Sequence, residues 1–263
     1  MENLCVSYEK VRNDLKAFDL IFFRGEGFSA DIIRFGEWAT SENKNINLDT
    51  LEFSHVGLVL TSDLLHGIKN VVPSEFYIWE STLNDISGIG VTDINEKYFK
   101  GVQLRNLDEV VDKYNKYNVK NALSNGKKPK ESYISIAQLD EKTREYVENN
   151  YLTIVAGFPE IFNRYQGVKY DFQPLNLLGA MFKCFRWEYI NEEINETLGS
   201  KDWLFCSELV TIVFKEVGIF PNTCKSEFVV PTDFLEHDRD EIEEGGIPSV
   251  VKSVINLTCN SNV

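Results

Sequence analysis

Histidine is scarce: 263 residues hold three, His55, His66 and His237. The five cysteines, Cys5, Cys184, Cys206, Cys224 and Cys259, are odd in number, scattered, and contain no CxxC pair. Such a set suggests neither a disulfide framework nor a zinc ribbon. Positive charge is also in deficit, with 27 Lys and Arg against 41 Asp and Glu and a net charge of −14. That balance argues against nucleic acid or an anionic membrane as the main partner. No apolar run reaches the about 20 residues needed to cross a bilayer. The polar start MENLCVSYEKVRNDLK lacks the basic and apolar regions of a secretory signal. A glycine-rich phosphate loop is missing too, because Gly25-Glu26-Gly27 has no third glycine. The expectation is a reduced, cytoplasmic protein with no transmembrane segment, no metal and no cofactor.

What is present fits a folded chain, with 43% apolar and 13% aromatic residues. Short apolar runs rich in β-branched and aromatic residues predict strands at Phe18–Phe23 (FDLIFF), Ser54–Leu60 (SHVGLVL), Phe76–Glu80 (FYIWE) and Ser132–Leu139 (SYISIAQL). Ser29–Thr40 reads as a helix capped by Ser29, and Asp140–Tyr151 as a helix beside the preceding strand. The Asn- and Lys-rich stretch 106–130 reads as a surface helix and loop, a solvated insertion. In 172–200, Leu175, Leu177, Leu178, Met181, Phe182, Phe185 and Trp187 crowd an apolar segment before an acidic helix. An insertion packed on the body is the simpler reading of it; a lid or substrate wall is the other. The acidic stretch Glu236–Glu244 reads as solvated surface. Too little helix separates the early strands for a doubly wound sheet, so the pattern predicts one α+β domain with a mostly antiparallel sheet.

Three residues form a candidate set for chemistry. His55 lies inside a strand run, on the same face as Gly57 by the period of two, and a glycine there permits close approach. Glu80 ends another strand run, where a carboxylate is costly unless paired. On a strand beside that of His55 it could accept from the imidazole and orient it. Glu75 and Asp85 are rivals in loop-like sequence. Cys206 stands at the start of CSELVTIVFKEVG, in which Leu209, Val210, Val213, Phe214 and Val217 recur at helical spacing and Gly218 marks the stop. A thiol at a helix N-terminus is drawn toward the thiolate, and the N–H groups there can hold an oxyanion. Taken alone, His55 has a structural reading as a satisfied strand histidine and Cys206 as an inert buried thiol, while Glu75 and Asp85 read as solvated. Together His55, Glu80 and Cys206 are the set needed for thiol acyl transfer.

The order of these motifs resembles the permuted papain-like amidases, the YaeF/YiiX group of the NlpC-type superfamily with poxvirus relatives. The resemblance rests on Asp19–Phe23, Phe53–Val59, Trp79-Glu80, Gly167–Phe172, Phe205–Val210 and Val230–Phe234. It implies a circularly permuted papain-like fold, with Cys206 as nucleophile, His55 as base and Glu80 as the third, orienting member. It also offers Tyr170 as a substrate-binding residue. The function expected is an intracellular thiol hydrolase of the amidase or peptidase kind, located in host cytoplasm or virion if the source is viral. Peptide, amide or acyl-lipid substrates remain open. A lipid-directed acyltransferase, favoured by the apolar 175–187 segment, and a catalytically inert binding protein on the same fold are the alternatives.

Overall fold

The computed structural model describes residues 5–24, 53–83, 93–94, 100–170, 203–224, 226, 229, 231–235 and 247–259. One mixed sheet organises them. Its strands are β1 (Cys5–Val6), β2 (Leu20–Phe23), β3 (His55–Thr61), β4 (Phe76–Leu83), β5 (Lys100–Asn106), β6 (Ile134–Leu139), β7 (Lys169–Tyr170), β8 (Trp203–Leu204) and β9 (Val251–Leu257). They lie in the order β1-β9-β6-β2-β3-β4-β5-β7-β8. The pairs β1/β9 and β7/β8 are parallel and the others antiparallel. The helices are α1 (Tyr8–Val11), α2 (Leu107–Ser124), α3 (Glu141–Asn149), α4 (Tyr151–Tyr165) and α5 (Cys206–Glu216). The expected α+β class with a largely antiparallel sheet is what these elements build.

Apolar side chains leave both faces of the central strands. On one face Phe22, Leu58, Leu60, Trp79 and Leu104 pack with Phe158 and Phe162 of α4 and Leu209, Val213 and Phe214 of α5. On the other, Ile21, Phe23, Val59, Ile78, Ile134 and Ile136 pack with Val110, Val111 and Val119 of α2. A strand covered on both sides reads as a continuous apolar run instead of an alternating one, which is why LIFF is buried at every position. Asp19, 1% exposed, ties this centre to its surroundings. It accepts from the Lys16 N–H at 2.9 Å, the Leu139 N–H at 3.4 Å and Arg144 Nη2 at 2.5 Å. It thereby joins the start of β2 to the end of β6 and to α3.

The four predicted strands are present within one to three residues of their expected ends. The helix after Asp140 forms with that residue as N-cap, its carboxylate accepting from the Thr143 N–H at 2.7 Å. The reading of 106–130 as a solvated excursion needs correction. A helix does start there, capped by Asn106, but Leu107, Val110, Val111 and Val119 are buried against the second face of the sheet, and Ala122 is buried as well. Their i, i+3, i+4 spacing is diluted by the Asn and Lys residues between them. The proposed Ser29–Thr40 helix, the 172–200 stretch and the acidic Glu236–Glu244 segment lie outside the described residues. Strands β5 and β9 and helix α4 were not expected from sequence. β5 and β9 mix polar with apolar residues, and α4 carries Pro159 internally.

Phe158 meets Phe18 and Trp79 edge-on, each at a ring-centroid distance of 5.8 Å. Truncation by Phe158→Ala should cost about 3–5 kcal/mol in urea unfolding, the range for emptying a fully buried aromatic site.

Candidate active site

Three adjacent strands and one helix terminus bring the chemistry together. His55 is the first residue of β3, Glu80 lies within β4, and Cys206 is the first residue of α5. Gly57 makes their approach possible. A Cβ at Gly57 would lie 2.7 Å from the Ile78 side chain and 3.1 Å from Glu80 Cβ. The space a side chain would take is occupied by Ile78 and the stem of Glu80. The Glu80 carboxylate then reaches diagonally to the next strand, and Glu80 Oε2 lies 2.5 Å from His55 Nε2.

Glu80 has no exposed surface, so its charge needs compensation. Besides His55 it has Arg105 of β5, itself 3% exposed. Arg105 Nε donates to Glu80 Oε1 at 2.8 Å, and Arg105 Nη2 donates to the same oxygen. The carboxylate is thus divided, with Oε1 taken by Arg105 and Oε2 by His55. Burial alone would raise the Glu80 pKa, but the Arg105 charge and the His55 bond outweigh it and bring it down to about 2.

His55 Nε2 is engaged by Glu80, leaving Nδ1 as the ring nitrogen for the hydrogen bond between His55 and Cys206. Burial opposes the imidazolium; the Cys206 thiolate and the Glu80 carboxylate overcome it, so His55 is raised from its ordinary value. For Cys206 the signs reverse. Burial opposes the thiolate, but the His55 cation and the N–H groups of Val56 and Ser207 stabilise it, and its pKa is lowered. The β3–β4 ladder explains the Val56 donor, since its paired register runs from Leu58 to Thr61 and Val56 lies beyond it. Both shifts favour a thiolate–imidazolium pair, and the Glu80 carboxylate lies behind the imidazole.

The approach to Cys206 is fixed by neighbouring bonds. Ser81 Oγ donates to the Leu204 carbonyl at 2.6 Å, pinning β8 against β4. Glu208 Oε2 accepts from the Phe205 N–H at 3.3 Å, which caps the first turn of α5. Ser207 Oγ donates to the Val229 carbonyl at 2.5 Å. At the far end Gly218, with φ of 79°, closes the helix by bonding its N–H to the Lys215 carbonyl.

His55, Glu80 and Cys206, singled out from sequence, are thus within one bonded chain. Tyr170 is placed by its backbone in β7, paired with Leu204 of β8 two residues before Cys206. His66 is exposed in the loop after β3, and Glu75 accepts from Asn106 Nδ2 at 2.8 Å, away from the triad. Asp85, Cys184 and His237 lie outside the described residues. Cys5, Cys224 and Cys259 are pushed up by burial. The residue that sequence reasoning missed is Arg105. Its signal was a buried-carboxylate argument that demands a cation, joined to the period-two pair Gln103 and Arg105 in a strand that was not recognised. Among the described residues no group of three or more His, Cys, Asp or Glu is placed to hold a metal ion, and no helix is long and apolar enough to cross a membrane. No protein-family model matches the chain, and no curated protein matches it.

Two measurements follow from this geometry. Gly57→Val should push Ile78 and Glu80 apart inside a packed face and cost about 1–3 kcal/mol in urea unfolding, the usual range for overpacking. Glu80 has a folded pKa depressed from 4.5 to about 2, so its stabilising contribution is present above 4.5 and lost as pH falls toward 2. Glu80→Gln should therefore lower the neutral-pH melting temperature by leaving Arg105 without its carboxylate, and flatten the loss of stability between those two pH values.

Proposed function

We propose that the chain is a cysteine-dependent hydrolase that cleaves an amide, peptide or ester bond through an acyl-enzyme on Cys206. The observation that carries this reading is the series Cys206–His55–Glu80, with Glu80 Oε2 on His55 Nε2 and the thiol at a helix start; the surrounding charges favour its ionised form. A structural cysteine needs no such partners, and burial would leave its pKa raised, as at Cys224.

In the proposed reaction the Cys206 proton resides on His55 Nδ1, and the thiolate attacks the substrate carbonyl carbon. The carbonyl π electrons move to oxygen, and backbone N–H groups in the first turn of α5 receive the oxyanion. Collapse of the tetrahedral intermediate breaks the carbon–nitrogen or carbon–oxygen bond, and His55 gives its proton to the leaving group. Water then attacks the thioester while His55 takes a proton from it. The acid leaves, and the protonated His55 again faces the Cys206 thiolate. Glu80 keeps Nε2 engaged and stabilises the cation at each stage.

A helix that starts with the nucleophile and packs on an antiparallel sheet carrying the base and its carboxylate supports a papain-like fold. The chain order, with histidine before glutamate before cysteine, supports the circularly permuted form and membership of the permuted papain-like amidases. Peptides, simple amides and acyl lipids are the substrate classes that the reading covers, and cytoplasm, host cytoplasm or virion is the location that goes with it.

Incubation with a panel of aryl esters and aminocoumarin amides, followed by acid quench and peptide mass spectrometry, tests the reading. The expected result is an acyl adduct on Cys206, with turnover lost in Cys206→Ala and reduced by about 10²-fold or more in His55→Ala, the scale of general acid–base catalysis. Turnover of a confirmed substrate that survives Cys206→Ala unchanged would sink it.

A further inference from the structure

We propose that Arg105 is a positioning residue for this site, holding one oxygen of Glu80 so that the other faces His55 and a thiolate can exist at Cys206. The inference rests on the thiol-hydrolase reading and names a group that the triad alone does not contain.

Register supplies the geometry. Glu80 pairs with Gln103 across the β4–β5 ladder, and Arg105 pairs with Ile78. Arg105 is therefore the diagonal neighbour of Glu80 on the same face, a separation that long side chains span. His55 occupies the corresponding position on the opposite flank, on β3. Glu80 thus lies between two cations on neighbouring strands and gives one oxygen to each. Two donors from one planar guanidinium, Nε and Nη2, converge on Oε1. This anchors Oε1 from two donors, and with Oε2 held by His55 the carboxylate is fixed at both ends. Arg105 is placed to act on the thiol through Glu80 and His55.

Charge alternation gives the reason for a cation here. Arg⁺, Glu⁻, imidazolium and thiolate alternate in sign along the series, so each charge favours the next. Loss of the Arg105 charge weakens the hold on the Glu80 carboxylate, hence on the imidazolium, and makes the Cys206 thiolate harder to form. A merely structural role, neutralising a buried carboxylate, would alter folding stability and leave the thiol's titration in place.

The test is the pH dependence of alkylation of Cys206 by iodoacetamide, read by peptide mass spectrometry with the other four cysteines as internal references. In Arg105→Gln, which keeps a donor toward Glu80 and removes the charge, the midpoint should rise by about one pH unit. Alkylation below the midpoint should then be about tenfold slower than in the unaltered protein. A folded Arg105→Gln protein with an unchanged midpoint overturns the proposal. Should that variant fail to fold, the unaltered protein decides through the NMR signal of Arg105 Nε–H. A signal that moves with the same midpoint as Cys206 alkylation upholds the coupling, and one that is flat through that range overturns it. If Cys206 of the unaltered protein alkylates no faster than its other thiols at about pH 6, where ordinary thiols are protonated, the thiol-hydrolase reading itself falls, whatever Arg105 does.

Discussion

A carboxylate with no exposed surface is the constraint around which this molecule is arranged. Glu80 is buried in the sheet at a depth where an unmatched charge would cost several kcal/mol. Its two oxygens are matched separately, one by Arg105 on β5 and the other by His55 on β3. Those bonds require three strands in one register, and the register requires a residue without a side chain at Gly57. The helix that brings Cys206 completes the series from a different part of the chain. Remove the carboxylate, and the reason for the arginine, the glycine and the ring orientation of the histidine goes with it.

The same sheet serves two cores, and this shapes where chemistry can sit. His55, Glu80 and Arg105 share the period-two positions of Val59 and Ile78, whose face is covered by α2. Cys206 belongs to the core under α4 and α5 on the other face. The thiol and the imidazole meet at the start of β3, just where the paired register with β4 has ended. A site at the end of a ladder has backbone donors released from strand pairing, and the Val56 N–H is one of them.

The parts legible in the sequence were those carried by local pattern. FDLIFF, SHVGLVL, FYIWE and SYISIAQL announced strands because they are short, apolar and rich in β-branched or aromatic residues, and CSELVTIVFKEVG announced a helix by its spacing and its terminal glycine. The candidate triad was legible because a strand histidine, a strand carboxylate and a helix-start thiol each carry their own local signal. The signal of Arg105 was not its own: the alternation in KGVQLRN gains meaning only once Glu80 is known to lie beside it and to need a cation. The burial of α2 escaped for a similar reason: its apolar stripe is real, but Asn and Lys fill the positions between. Pairings between distant segments decide both cases, and local composition does not encode them.

His55, Glu80 and Arg105 sit on three strands that follow one another in the chain, whereas Cys206 arrives much later on α5. The polypeptide can therefore bury and balance Glu80 with its early strands alone. Cys206, emerging afterwards, meets His55 only when α5 docks beside Ser81 and Val56. Until α5 docks, Cys206 is without the His55 cation and the Val56 N–H that lower its pKa, so the perturbed thiol belongs to the long-range packing and not to the CSELV segment by itself.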